Sequence, residues 1–72
     1  MKLRLVLRPA RGALERVLLA ASRRGFATSA VTAREQAGRL DVELEGSSPR
    51  DAEVLSRALA RLFDVETVEV VA

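Results

Sequence analysis

From Lys2 to Arg8 the chain alternates, with Leu3, Leu5 and Leu7 on one side and Lys2, Arg4, Val6 and Arg8 on the other. A period of two with charge on only one side predicts a half-buried strand. Pro9 to Gly12 reads as a turn, and the period then changes. From Ala13 to about Arg24, Leu14, Val17, Leu18 and Ala21 recur at helical spacing. Arg23 and Arg24 suit the negative end of that helix, and Gly25 stands where helices commonly close on a left-handed residue. Phe26 to Arg34, rich in small and β-branched residues, predicts a second strand, with Glu35 to Gly38 as a hairpin turn. Arg39 to Glu45 alternates again, Leu40, Val42 and Leu44 against Asp41, Glu43 and Glu45. Gly46 to Pro49 leads into a second helix, with Ser48 as N-cap, Pro49 at N1 and Asp51 at the N3 position of a capping box. Its buried stripe is Leu55, Ala58, Leu59 and Leu62. Thr67 to Val71 is the last strand, with Val68 and Val70 inward.

The order βαββαβ predicts an α+β fold of ferredoxin-like type. Right-handed crossovers arrange a four-stranded antiparallel sheet in the order 4-1-3-2, with both helices on one face. Residues 1–72 are expected to form a single domain. A chain this short buries roughly 60% of its unfolded surface, which leaves a marginal core. It has no cysteine and no histidine, so neither a disulfide nor a structural metal can staple it. Association with another chain is the remaining means, and a dimer or a larger partner is expected.

Charge is uneven along the chain. Residues 1–34 hold eight Lys/Arg and one acid, whereas residues 35–72 hold nine acids and four Arg. Strands one and three are expected to be antiparallel neighbours, so Arg4 and Arg8 face Asp41, Glu43 and Glu45 across the ladder, with Glu69 joining from strand four. The two halves then neutralise each other on the solvent face of one sheet, and a nucleic-acid patch is not needed to explain them. A mitochondrial presequence in the style of Arg23-Arg24-Gly25-Phe26-Ala27-Thr28-Ser29-Ala30 fails on size, because its removal leaves one helix and too little chain for a core. The longest apolar run, Val17 to Ala21, is far below a membrane span. Charge inside the first eight residues argues against a secretory signal, so a cytoplasmic protein is expected.

The chain lacks His, Cys, Tyr, Trp and Asn. No imidazole base, thiolate or asparagine oxyanion donor is therefore on hand, and no catalytic, metal-binding or cofactor-binding residue is expected. The carboxylates Asp41, Glu43 and Glu45 read as a solvated strand face, and Ser47 and Ser48 as caps. RNA-recognition modules stack bases on aromatic residues of the central strands, where this chain has Leu, Val and charged pairs. Small-molecule binding and protein association remain. Strand two is an edge in the expected order, and from Phe26 to Ala33 it carries no charge and no proline. Natural edges are usually blunted by such residues. Ala27, Thr28, Ser29, Ala30, Val31 and Thr32 are thus a candidate edge for homodimerisation, strand two against strand two. The Gly12 turn of one chain would then lie near Thr28 and Ser29 of the other, beside bare N–H groups at a helix start.

The turn, Gly12, Leu14, the helix and Arg24-Gly25-Phe26 resemble the ACT domain, a regulatory amino-acid-binding module. Its usual pattern is Asp/Asn-x-Pro-Gly-x-Leu, a helix, then Arg-Gly-Phe/Tyr. More narrowly, Leu14-Glu15-Arg16-Val17-Leu18, Arg24-Gly25-Phe26, Asp41-Val42-Glu43-Leu44, Ser48-Pro49-Arg50 and Asp64-Val65 are similar in order and spacing to short small subunits of acetolactate synthase. The resemblance implies a non-catalytic subunit that dimerises and docks on a thiamine-diphosphate-dependent catalytic subunit. That subunit serves branched-chain amino-acid biosynthesis, and valine is a typical effector. Effector contacts carried over from the family fall on Arg11, Gly12, Ala13 and Leu14, largely through backbone groups, with Thr28 and Ser29 of the partner. Pro9 stands in the slot of the family's Asp/Asn and Arg11 in that of its proline. The side chain that grips an amino-acid ammonium is therefore absent, while Arg11 can meet a carboxylate. The alternative reading is a freestanding ACT module that binds an amino acid to regulate another enzyme or regulator. A third is an assembly module with no ligand.

Overall fold

Strand β1 (Lys2–Leu7) lies inside the sheet, hydrogen-bonded on both sides, and its three inward leucines, Leu3, Leu5 and Leu7, are fully buried. The computed structural model describes residues 1–71; Ala72, the end of the expected 1–72 domain, lies outside the described residues. The remaining elements are helix α1 (Ala13–Arg23), strand β2 (Ala27–Gln36), strand β3 (Arg39–Ser47), helix α2 (Ala52–Ala60) and strand β4 (Val65–Val71). The sheet order is β2-β3-β1-β4, all neighbours antiparallel. This is the expected 4-1-3-2 arrangement read from the other side.

Register follows the alternation. Leu3, Leu5 and Leu7 stand opposite Leu44, Val42 and Leu40 on β3, while Leu3 and Leu5 stand opposite Val70 and Val68 on β4. Above this inner face sit Val17 and Ala21 of α1 with Leu55 and Leu59 of α2, all buried. Ala58 of the expected stripe is only half-buried, and Leu62 packs against the core from its margin. Val70 shares the row of Leu3 but remains 36% exposed.

The outer face carries the charge pairing. Arg4 meets Glu43 on one side at 3.2 Å and Glu69 on the other at 3.6 Å, and Lys2 meets Glu45 at 3.7 Å. Exposed pairs of this kind contribute roughly 0.2–1 kcal/mol each. Arg8 departs from expectation. It leaves the ladder and directs Nη1 to the carbonyls of Phe63 and Val65.

Helix α1 ends as the glycine spacing suggests. Arg24 is the C-cap, Gly25 has φ +87°, and its N–H donates to Ser22 O at 3.0 Å. The Phe26 N–H donates to Ala21 O at 3.0 Å, which completes a Schellman motif and drives the Phe26 ring into the core. Arg24 Nη1 also donates to Ala20 O at 2.9 Å, satisfying a carbonyl near the helix end.

Helix α2 begins later than its sequence suggests. Asp51, not Ser48, is the N-cap, and its carboxylate accepts the Glu53 N–H at 3.0 Å. The Ser48 hydroxyl accepts the Arg50 N–H instead, a local turn before the helix. Pro49 lies against Gly25, so this segment is spent on bridging to the end of α1 rather than on the first helical turn.

The β2–β3 hairpin is longer than expected. Glu35 and Gln36 belong to β2, and only Ala37 and Gly38 form the turn, with φ +52° and +74°. Both central residues of such a two-residue turn need positive φ, which an alanine adopts with strain. At the far end Ser29 is the extra residue of a bulge, because Thr28 pairs with Gly46 and Ala30 with Glu45. A β-carbon on Gly46 would collide with Ala27 O and the Phe26 ring, so this crossing admits only glycine.

Two substitutions test the hairpin by urea unfolding at fixed protein concentration. Ala37→Asn is expected to raise stability by roughly 0.5–1 kcal/mol through relief of the left-handed strain. Gly46→Ala is expected to lower it by about 1–3 kcal/mol, as overpacking does.

Candidate functional site

The β1–α1 turn is built around Gly12, which has φ +76° and serves as the N-cap of α1 without any side-chain cap. An L side chain rarely tolerates that backbone, which is why the turn requires glycine. The Ala13 N–H donates to Ala10 O at 3.0 Å, and Gly12 O accepts from Arg16 N at 2.9 Å. Leu14 and Glu15 follow in the first turn, where N–H groups have no acceptor within the helix.

The expected effector residues are distributed unequally. Arg11 is exposed beside the turn, and Leu14 is half-buried against the core. Ala13 is 1% exposed, so its methyl belongs to the core and only its backbone could serve a ligand. Thr28 and Ser29 stand at the opposite end of the molecule, because β2 begins after α1 has run roughly 16 Å away from the turn. One chain therefore does not bring the two halves of the site together. The Ser29 hydroxyl also donates to Glu45 O at 3.1 Å, within its own bulge.

Beside the turn the structure places two residues that sequence reading passed over as site groups, Arg16 and Asp64. Arg16 donates twice to Asp64, Nε to Oδ2 at 2.6 Å and Nη2 to Oδ1 at 3.1 Å. A β-carbon on Gly12 would lie 3.0 Å from Arg16 Nη1, so the third guanidinium nitrogen covers the turn. Asp64 is the only buried charged residue among those described. Its main-chain carbonyl accepts from Arg8 N at 2.7 Å, and Arg8 stacks over the Phe63 ring at 5.3 Å. The hydrogen bonds from Arg16 hold the Asp64 carboxyl below the usual range, against the opposing effect of desolvation. The same bonds raise the Arg16 guanidinium. Forty-eight residues separate the pair, so no local pattern marks it.

All six residues of the expected dimer edge, Ala27 to Thr32, are exposed, as is the rest of β2 to Gln36. The strand stays exposed although it is hydrogen-bonded to β3 along its length and α1 lies on its side of the sheet. Among the described residues no cluster of His, Cys, Asp and Glu could hold a metal ion, and no helix is long and apolar enough to cross a membrane.

A family model for the ACT domain matches residues 9–68, from the turn to the last strand. The chain belongs to the ACT domain family. Among solved structures it is similar to the ACT domain from the GTP pyrophosphokinase of Chlorobium tepidum. The TM-score is 0.78 at 17% identity, over 94% of this chain and 91% of that one. At that identity the likeness speaks for the fold. A search of curated proteins finds no match. ACT domains are regulatory modules, generally amino-acid-binding, rather than catalytic ones.

The Arg16–Asp64 pair sets an expected acid response. In the folded chain the Asp64 carboxyl titrates below its ordinary 3.8, so the unfolded chain binds the proton first as pH falls. Stability from this group is present above that value and is lost as pH drops through it towards the folded value. Urea midpoints measured from neutrality downwards should fall less steeply in this window for Asp64→Asn than for the native chain.

Proposed function

We propose that this ACT domain is the non-catalytic small subunit of acetolactate synthase, active as a homodimer that docks on the catalytic subunit. Support for the enzyme assignment is the ordered run Leu14 to Leu18, Arg24 to Phe26, Asp41 to Leu44, Ser48 to Arg50 and Asp64-Val65, now placed on one fold. Support for the dimer is the single observation that carries most of the reading: a ten-residue edge strand exposed along its length and uncharged from Ala27 to Ala33. Antiparallel pairing of two such strands puts Thr28 and Ser29 of the partner beside the far end of β2, the end nearest the Gly12 turn. Leu14 and Leu18 project from α1 towards the same edge and would be covered by the second copy.

An effector at this junction would present its carboxylate to the backbone of Gly12, Ala13 and Leu14 and to Arg11. Pro9 offers nothing to an ammonium group, so binding of valine or another branched-chain amino acid is weak. The main task is then activation of the catalytic subunit in the cytoplasm. The second reading, a freestanding ACT module serving another enzyme, draws on the structural likeness to an ACT domain of a GTP pyrophosphokinase.

Co-expression with an acetolactate synthase catalytic subunit from the same genome should give a complex with raised turnover. Absence of both co-purification and a rate change would refute the assignment. Light scattering should show a dimer for the native chain. Val31→Lys, which puts a charge on the exposed edge, should weaken the dimer by about tenfold or more. Calorimetric binding of an amino acid by a chain that leaves the catalytic subunit unaffected would favour the second reading.

A further inference from the structure

Charge in this molecule is divided by layer. The helices with their flanking loops, residues 8–26 and 48–64, hold eight arginines against four acids, whereas the remaining residues hold four bases against six acids. The outer sheet face pairs its charges in Lys2–Glu45, Arg4–Glu43, Arg4–Glu69 and Arg39–Glu66. Among the described residues the helix layer has one ion pair, Arg16–Asp64. Arg23 and Arg61 have no acidic partner there.

Within that basic layer a shallow groove of about 280 Å³ runs along α1, closed on its other side by Leu62, which follows the end of α2. Leu19, Ala20 and Leu62 give it an apolar floor, and Arg16, Arg23 and Arg24 form its rim. Leu19 is 51% exposed, and Phe63, one residue beyond Leu62, is 82% exposed. Arg8 stacks on that ring and Asp64 anchors the loop, so the aromatic is presented on a fixed mount. Exposed aromatic and arginine side chains held in place are the groups that dominate interface energetics.

We propose that this groove between α1 and Leu62 docks an acidic, amphipathic segment of the catalytic enzyme that the domain regulates, a proposal that rests on the small-subunit reading. Charge complementarity selects the occupant. The apolar floor takes the nonpolar side of such a segment, while its carboxylates meet Arg23 and Arg24, beside an Arg16 already held by Asp64. A second copy is a poor occupant, because two helix layers of like charge repel. The groove flank of α1, with Arg16, Leu19 and Arg23, is also turned away from the Leu14 and Leu18 flank that faces β2. Dimerisation through β2 therefore leaves both grooves open, one per chain.

The test measures affinity of the full chain for the acetolactate synthase catalytic subunit by calorimetry, at low and high salt. Leu19→Glu and Arg23→Glu change exposed side chains, and circular dichroism and light scattering verify fold and dimer. Each variant is expected to weaken binding about tenfold or more without altering the dimer, and native affinity should fall as salt rises. Native binding that neither variant weakens overturns the groove and leaves the small-subunit reading standing. Failure of the native chain to bind overturns both. Unweakened enzyme binding by variants that have lost affinity for a single-stranded oligonucleotide also overturns the proposal, by giving the groove to a polyanion.

Discussion

Three separate parts of the chain converge on Asp64. Its carboxylate takes two hydrogen bonds from Arg16 in the first turns of α1, and its carbonyl takes the N–H of Arg8 at the end of β1. Asp64 itself lies in the loop that returns α2 to β4. A buried carboxylate is costly unless its lone pairs are occupied, and here the cost can be met in only one arrangement of these three parts. The pairing therefore fixes where α1 starts relative to the sheet. With it come the lie of the Gly12 turn and the position at which Phe63 is held outward. The leucines of β1 form the centre of the core, but nonpolar contact alone does not set such an angle.

Features governed by near neighbours were legible in the sequence. The alternation of β1 and β3 survives as their register, and Arg24-Gly25-Phe26 becomes a Schellman end whose phenylalanine is core. Strand order followed from crossover handedness. Ser48 misled because a serine before proline is a good cap in isolation, whereas contact between Pro49 and Gly25 defers the helix to Asp51. The hairpin end misled because Ala37 hides a positive-φ position that asparagine or glycine would have announced. Arg8 was expected on the sheet face, but two loop carbonyls and an aromatic ring compete for it. The candidate site was half legible: glycine and helix start were visible locally, while Arg16 and Asp64 meet only through the fold.

The edge strand and the charge distribution constrain how the domain can associate. β2 is hydrogen-bonded on one side and exposed on both faces, so within one chain its small uncharged residues have nothing further to bury against. The β4 edge differs, since Glu66 and Glu69 lie within its seven residues. Only one edge is thus free of charge over most of its length. On the two faces of the sandwich the asymmetry is electrostatic: the sheet layer pairs most of its charges and keeps a small excess of acid, while the helix layer keeps an excess of arginine. The paired charges of that face have little to offer a charged partner, because Lys2, Arg4 and Arg39 are already engaged by Glu43, Glu45, Glu66 and Glu69. The edge and the helix layer are the surfaces left with unsatisfied capacity, and they differ in kind.

The Gly12 turn and the groove of the helix layer are joined by one side chain. Arg16 uses Nε and Nη2 on Asp64, leaves Nη1 over the Gly12 turn, and forms part of the rim of the groove between α1 and Leu62. Its guanidinium has no freedom to serve turn and groove independently, because the bidentate bond to a buried carboxylate fixes its plane. An anion placed at the turn would draw on a guanidinium that Asp64 already engages and that also borders the groove. Two anions sharing one cation each reduce its attraction for the other, and linkage makes that reduction equal in both directions. The sign of the coupling is therefore set by electrostatics. On the small-subunit reading, a carboxylate ligand at the turn would oppose an acidic partner in the groove, without any movement of the backbone between them.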